Sequence, residues 1–84
     1  MTDDTLVAPV DLTDLITEIY RETLLNPSLD ADSDFFEAGG DSLAAFQVTA
    51  RLRDTIGADV PVALVFSYPS PADLAGVVET DRVG

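Results

Sequence analysis

Phe35-Phe36-Glu37-Ala38-Gly39-Gly40-Asp41-Ser42-Leu43 is the stretch on which the reading of this chain turns. Two aromatic anchors run into a double glycine, and the double glycine delivers a serine to an apolar-periodic run from Leu43 to Ile56. Glycine adopts backbone angles that other residues avoid, so the chain can bend sharply just before a helix begins. Asp41 or Ser42 supplies the N-cap, because a short side-chain oxygen accepts from a helix N–H that has no intrahelical partner. Taken alone, the stretch is a well-made loop-to-helix junction, and its meaning depends on what flanks it.

Upstream, Leu12, Leu15, Ile16, Ile19, Thr23 and Leu24 follow helical spacing, with Thr13, Asp14, Thr17, Glu18, Arg21 and Glu22 on the other face. Asp11 is the expected N-cap and Asn26-Pro27 the stop. Residues 27–41 then form a connection too long to be a bare linker inside a small domain, with Leu29, Phe35 and Phe36 as its pins. The second helix is expected over Ser42–Ile56, closed by Gly57, with Ala45, Val48, Thr49, Leu52 and Ile56 inward and Leu43, Phe46 and Ala50 on the other side.

Val60–Phe66 has the propensity of a strand, but nothing else in the chain is available to pair with it. An unpaired buried strand leaves its backbone unsatisfied, so a short helix after Pro61 is expected instead. Ser70-Pro71-Ala72-Asp73 combines a capping serine, proline at the first helical position and an acidic third position. Leu74, Val77 and Val78 face inward from this last helix, which fades by Thr80. The expectation is an all-α, four-helix bundle with a short third helix and a long loop between helices 1 and 2. Residues 1–10 read as a flexible leader, 11–80 as the domain and 81–84 as a flexible tail.

Composition narrows the chemistry. The chain has 84 residues, no cysteine, no histidine, no lysine, and a net charge of −12. Such a surface repels nucleic acid and anionic membranes and steers toward basic partners. No signal peptide or membrane-spanning run is legible, which points to a cytoplasmic monomer, and the Met1 start with a short end at Gly84 points to a free-standing protein. Gly-Asp-Ser-Leu-Ala superficially matches a nucleophile elbow, yet the second glycine, the parallel sheet and any histidine base are missing. Asp30-Ala31-Asp32-Ser33-Asp34 fails as a calcium loop, because Phe35 stands where glycine is needed and Asp41 where a bidentate glutamate is needed. No metal site is expected.

The stretch from Phe35 to Leu43, followed by Ala50-Arg51-Leu52 and Val60-Pro61-Val62, resembles the peptidyl carrier proteins of nonribosomal peptide synthesis, the thiolation domains of the acyl-carrier-like family. The register continues through Val65-Phe66, Pro69-Ser70 and Leu74-Ala75, so the likeness covers residues 12–79. Carriers of fatty-acid and polyketide synthesis usually lack the double glycine and the Phe-Phe before it. Ala38 departs from a usual leucine and Pro71 from a usual aliphatic residue.

The resemblance implies that Ser42 is the attachment point for 4′-phosphopantetheine, transferred from coenzyme A by a phosphopantetheinyl transferase, with Gly39, Gly40 and Asp41 as the supporting turn. The protein is then not an enzyme but a substrate of enzymes, carrying an aminoacyl, peptidyl or other acyl group as a thioester. An absent cysteine fits, because the thiol arrives on the arm. A serine at a helix N-terminus also suits an incoming phosphate on physical grounds. The implied partners are an adenylation or other loading enzyme and, downstream, condensation, tailoring or thioesterase enzymes. Leu43 and Phe46, one and four residues after Ser42, match the family's docking positions, and Leu64 on the third helix extends that patch. Two other readings stay open: a polyketide-type or fatty-acid-type acyl carrier, and an acidic helical interaction domain in which Ser42 is only a cap.

Overall fold

Helix α1 (Leu12–Thr23) begins where the Asp11 carboxylate accepts from the Thr13 N–H at 2.9 Å. The computed structural model describes residues 11–83, so the expected leader and Gly84 lie outside the described residues. Leu12, Ile16, Ile19 and Tyr20 are buried, and Tyr20 is the largest fully buried side chain. Helical spacing alone leaves Tyr20 out of the inward set and places Thr17 on the outer face, yet Thr17 is buried too. The cause is that α1 packs against both α4 and α2, which widens its buried arc beyond a single stripe. Thr17 meets this burial by donating its hydroxyl to the Thr13 carbonyl at 2.7 Å. The helix closes just before Asn26-Pro27: Leu25 takes a left-handed φ of 54°, and the Asn26 N–H returns to the Arg21 carbonyl at 2.9 Å. Leu25 is 87% exposed.

Helix α2 (Ser42–Ile56) ends at Gly57, whose φ of 72° and N–H to the Arg53 carbonyl at 2.7 Å close the last turn. Its buried residues are Ala45, Val48, Thr49 and Leu52, with Ile56 half-buried. Helix α3 (Ala63–Ser67) is the short helix expected after Pro61, and no strand forms among the described residues. Helix α4 (Pro71–Val83) opens with Ser70 Oγ accepting from the Asp73 N–H at 3.2 Å. It runs three residues past the expected stop at Thr80, through 81–83 of the expected tail.

The connection from Leu24 to Asp41 has no helix of its own, but it is fastened at several points. Arg21 Nε donates to the Leu29 carbonyl at 2.7 Å, and the Ala72 N–H donates to the Ala31 carbonyl at 3.0 Å. The Pro69 carbonyl accepts twice, from the Tyr20 hydroxyl at 2.8 Å and from the Phe35 N–H at 3.2 Å. One carbonyl thus ties α1, the long connection and the α3–α4 turn together. Aromatic rings add a second tie: Tyr20, Phe35, Phe36 and Phe66 follow one another at centroid separations of 4.8, 5.2 and 5.0 Å. No helix among the described residues is long and apolar enough to cross a membrane.

Burial, with the Asp34 charge as a smaller contribution, pushes the Tyr20 phenol well above its ordinary value of 10.0. The folded chain therefore keeps a proton that the unfolded chain releases above that pH, so stability is full below it and falls as pH rises past it. Tyr20→Phe should cost about 0.5–1.5 kcal/mol near neutrality, through the lost Pro69 hydrogen bond, while flattening the alkaline loss. Urea midpoints of both proteins at neutral and alkaline pH check this, and equal alkaline slopes would contradict it.

Candidate functional site

The turn before α2 is built from backbone bonds and one aromatic floor. Asp34 accepts from the Phe36 and Glu37 N–H groups at 2.8 and 3.0 Å, and its carbonyl accepts from the Ala38 N–H at 3.0 Å. The Gly39 and Gly40 N–H groups return to the Phe36 and Phe35 carbonyls at 3.1 and 2.9 Å. Gly39 needs its glycine for a φ of 104°, whereas Gly40 needs it for space. A Cβ on Gly40 would stand 2.3 Å from Phe35 Cε2, far inside contact distance. Phe35 itself is fully buried, so the turn rests directly on the core.

Asp41, not Ser42, is the cap: its carboxylate accepts from the Ala44 N–H at 2.9 Å and its carbonyl from the Ala45 N–H at 2.9 Å. That leaves Ser42 as the first residue of α2, exposed, with its hydroxyl in no protein hydrogen bond among the described residues. The Ser42 and Leu43 N–H groups likewise find no protein acceptor. A free hydroxyl beside two open donors at the positive end of a fifteen-residue helix suits a phosphate ester. The chain has no histidine, the commonest general base for a serine nucleophile.

The family model for a phosphopantetheine attachment site matches residues 10–78. The chain belongs to that family. Carrier domains of this kind hold phosphopantetheine covalently and are not catalysts, which agrees with the chemistry just described. The carrier domain is 41% identical over 75 residues to pyochelin synthetase PchF of Pseudomonas aeruginosa, covering 81% of this chain and 4% of that protein. It therefore spans a small part of that much longer synthetase. Among solved structures, a nonribosomal peptidyl carrier domain superposes with a TM-score of 0.73 at 33% identity, over 82% of this chain and 88% of that one. A chain from the complex of the phosphopantetheine transferase Sfp with coenzyme A and a peptidyl carrier protein superposes with a TM-score of 0.78 at 27% identity, over 87% and 96%.

Around Ser42 the carrier domain exposes large apolar side chains. Leu43 is 67% and Phe46 57% exposed, in the positions expected of them. Leu64 is half-buried and packs against the core, so it contributes less surface than the sequence suggested. Phe66, which the sequence reading passed over, is 49% exposed and lies flat against Phe36 at an interplanar angle of 12°. Successive helical residues diverge by about 100°, so an inward Val65 was the available signal that Phe66 points elsewhere. In the acidic loop Asp30 accepts from the Asp32 N–H and the Ser33 hydroxyl, and no group of three or more metal-ligating side chains occurs among the described residues.

Three substitutions separate the roles in this turn. Gly40→Ala should destabilise by about 1–3 kcal/mol through the clash with Phe35. Asp41→Ala should lose about 0.5–2 kcal/mol as the cap is removed. Ser42→Ala should leave stability within about 0.5 kcal/mol of wild type, because it neither caps nor packs. Urea unfolding followed by helical circular dichroism measures all three, and a Ser42→Ala loss as large as that of Asp41→Ala would refute the assignment of the cap.

Proposed function

We propose that Ser42 is the attachment point for 4′-phosphopantetheine and that the domain carries an aminoacyl, peptidyl or related acyl group as a thioester on that arm, in nonribosomal peptide-type biosynthesis. The observation that carries the reading is the unbonded, exposed Ser42 hydroxyl beside the open Ser42 and Leu43 N–H groups, at the head of α2. In the transfer, Ser42 Oγ bonds to the phosphorus that bears the pantetheine, and the bridging P–O bond of coenzyme A breaks. Adenosine 3′,5′-bisphosphate leaves, and the transferase takes the hydroxyl proton. Gly39, Gly40 and Asp41 hold the serine in place without touching the reacting atoms.

The partners are a phosphopantetheinyl transferase, an adenylation or other loading enzyme, and condensation, tailoring or thioesterase enzymes. We assign the domain to the cytoplasm, alongside the coenzyme A that its modification consumes, and to a monomeric state. The docking surface is read as Leu43 and Phe46, with the exposed edge of Leu64 and, from the structure, Phe66. The chain's net charge of −12 favours partners that set arginine or lysine beside an apolar pocket.

Intact-protein mass spectrometry after incubation with coenzyme A, magnesium and a promiscuous transferase tests the attachment. One phosphopantetheine mass increment is expected on wild type and none on Ser42→Ala. Folded wild type that resists two unrelated transferases would favour the acidic interaction domain instead. For the docking surface, Phe46→Glu should slow modification roughly tenfold, the effect of losing an interface anchor, with an unchanged helical spectrum. A wild-type rate would remove Phe46 from that surface.

A further inference from the structure

Every backbone N–H from Phe35 to Gly40 is engaged, and three of these six bonds end on Asp34. Its Oδ1 accepts from Phe36 and Glu37, and its carbonyl from Ala38. The Phe35 N–H goes to the Pro69 carbonyl, while the Gly40 and Gly39 N–H groups return to the Phe35 and Phe36 carbonyls. That last pair of bonds, with Gly39 at a φ of 104°, is the pattern that closes the C-terminal end of a helix. Residues 35–38 are therefore one helical turn capped at both ends, and Asp34 is its N-terminal cap.

A single turn does not support itself, because nucleating a helix fixes several residues for one backbone bond. Two groups hold this one: the buried Phe35 ring, which fixes where it sits, and the Asp34 carboxylate, which occupies its first free N–H groups. The result is handed along the chain. The end of the turn seats Gly40 on the Phe35 ring, and the next residue, Asp41, caps α2 with Ser42 as its first residue. Asp34 and Asp41 thus act in series, the first capping the turn and the second capping the helix.

We propose that Asp34 is a positioning residue for the modification of Ser42, acting through the turn and not through contact with the serine; the inference rests on the attachment reading of Ser42. Without its cap the turn opens more often, Gly40 leaves the Phe35 ring, and the head of α2 loses its fixed place over the core. Leu43 and Phe46 lie on α2 itself and stay exposed, so a transferase still binds the opened domain, but unproductively. The loss then falls on the transferase's kcat for this substrate and not on its KM.

The test compares wild type with Asp34→Ala, Asp34→Asn, Asp34→Glu and Asp11→Ala, each checked for folding by helical circular dichroism. Asparagine keeps the accepting oxygen without the charge, and glutamate keeps the charge on a stem too long to cap. Asp11→Ala removes the same kind of bond from the head of α1, away from the serine. Transfer from coenzyme A is timed by intact-protein mass spectrometry over a range of domain concentrations. Asp34→Ala and Asp34→Glu should each lower kcat about three- to tenfold with KM unchanged, and the glutamate variant carries the test if the alanine variant does not fold. Asp34→Asn should restore the wild-type kcat, and Asp11→Ala should leave both constants as they are. Amide hydrogen exchange at Gly39 and Gly40 should quicken about tenfold in Asp34→Ala but not in Asp34→Asn, which ties the loss to the turn. A wild-type kcat in the folded alanine and glutamate variants, or a rise in KM alone, overturns the positioning role. So does an asparagine variant as slow as alanine, which would assign the effect to charge, or an equal loss in Asp11→Ala, which would assign it to general destabilisation. In each of these cases wild type still gains its mass increment and the Ser42 reading stands. A folded wild type that gains no increment overturns that reading and the role of Asp34 together.

Discussion

The contact between the Phe35 ring and the backbone of Gly40 is the constraint on which the rest depends. Phe35 is fully buried, tilts against Tyr20, meets Phe36 edge-on, and sends its N–H to the Pro69 carbonyl. Everything that fixes this ring also fixes the turn above it, because the glycine leaves no room for a side chain between them. Removing a buried phenylalanine costs about 3–5 kcal/mol, comparable to the whole net stability that a core of this size supplies. The turn and the core are for that reason one cooperative unit.

Electrostatics divides the surface in a way that the net charge alone conceals. Sixteen acidic residues are distributed over the chain, yet the first turn of α2 contains none, and Asp41 commits its carboxylate to the cap. The head of this helix thus keeps its positive character in a protein of −12. Beside it, Leu43, Phe46 and Phe66 expose apolar surface that a monomer alone has no use for. A positive helix head and exposed apolar side chains thus share one end of the molecule for different physical reasons.

Features decided within a few residues were legible in the sequence. The Asp11 and Ser70 caps, the Gly57 stop, proline at the start of α4 and the inward stripe of α2 all appear where local chemistry puts them. Pinning of the long connection by Leu29 and Phe35 was legible because little else there is apolar. Features decided by three-dimensional company were not. Thr17 and Tyr20 are buried because α1 has neighbours on two sides, a fact no periodicity of α1 contains. Phe66 and Leu64 divide exposure in a way that depends on how one short turn sits against Phe36 and the core. The choice of Asp41 over Ser42 as cap, left open by composition, follows from the backbone at the turn, and it frees the serine hydroxyl.

Because Gly40 rests on Phe35, the serine stands in its exposed position only when the core beneath it is assembled. An unfolded or partly folded chain has the same residues in the same order but no helix head and no turn to present them. If Ser42 is the attachment point, as proposed, a transferase that reads this geometry inspects the whole domain by inspecting one hydroxyl. On the proposed attachment at Ser42, priming with the arm would double as quality control, because a misfolded copy offers no helix head to prime.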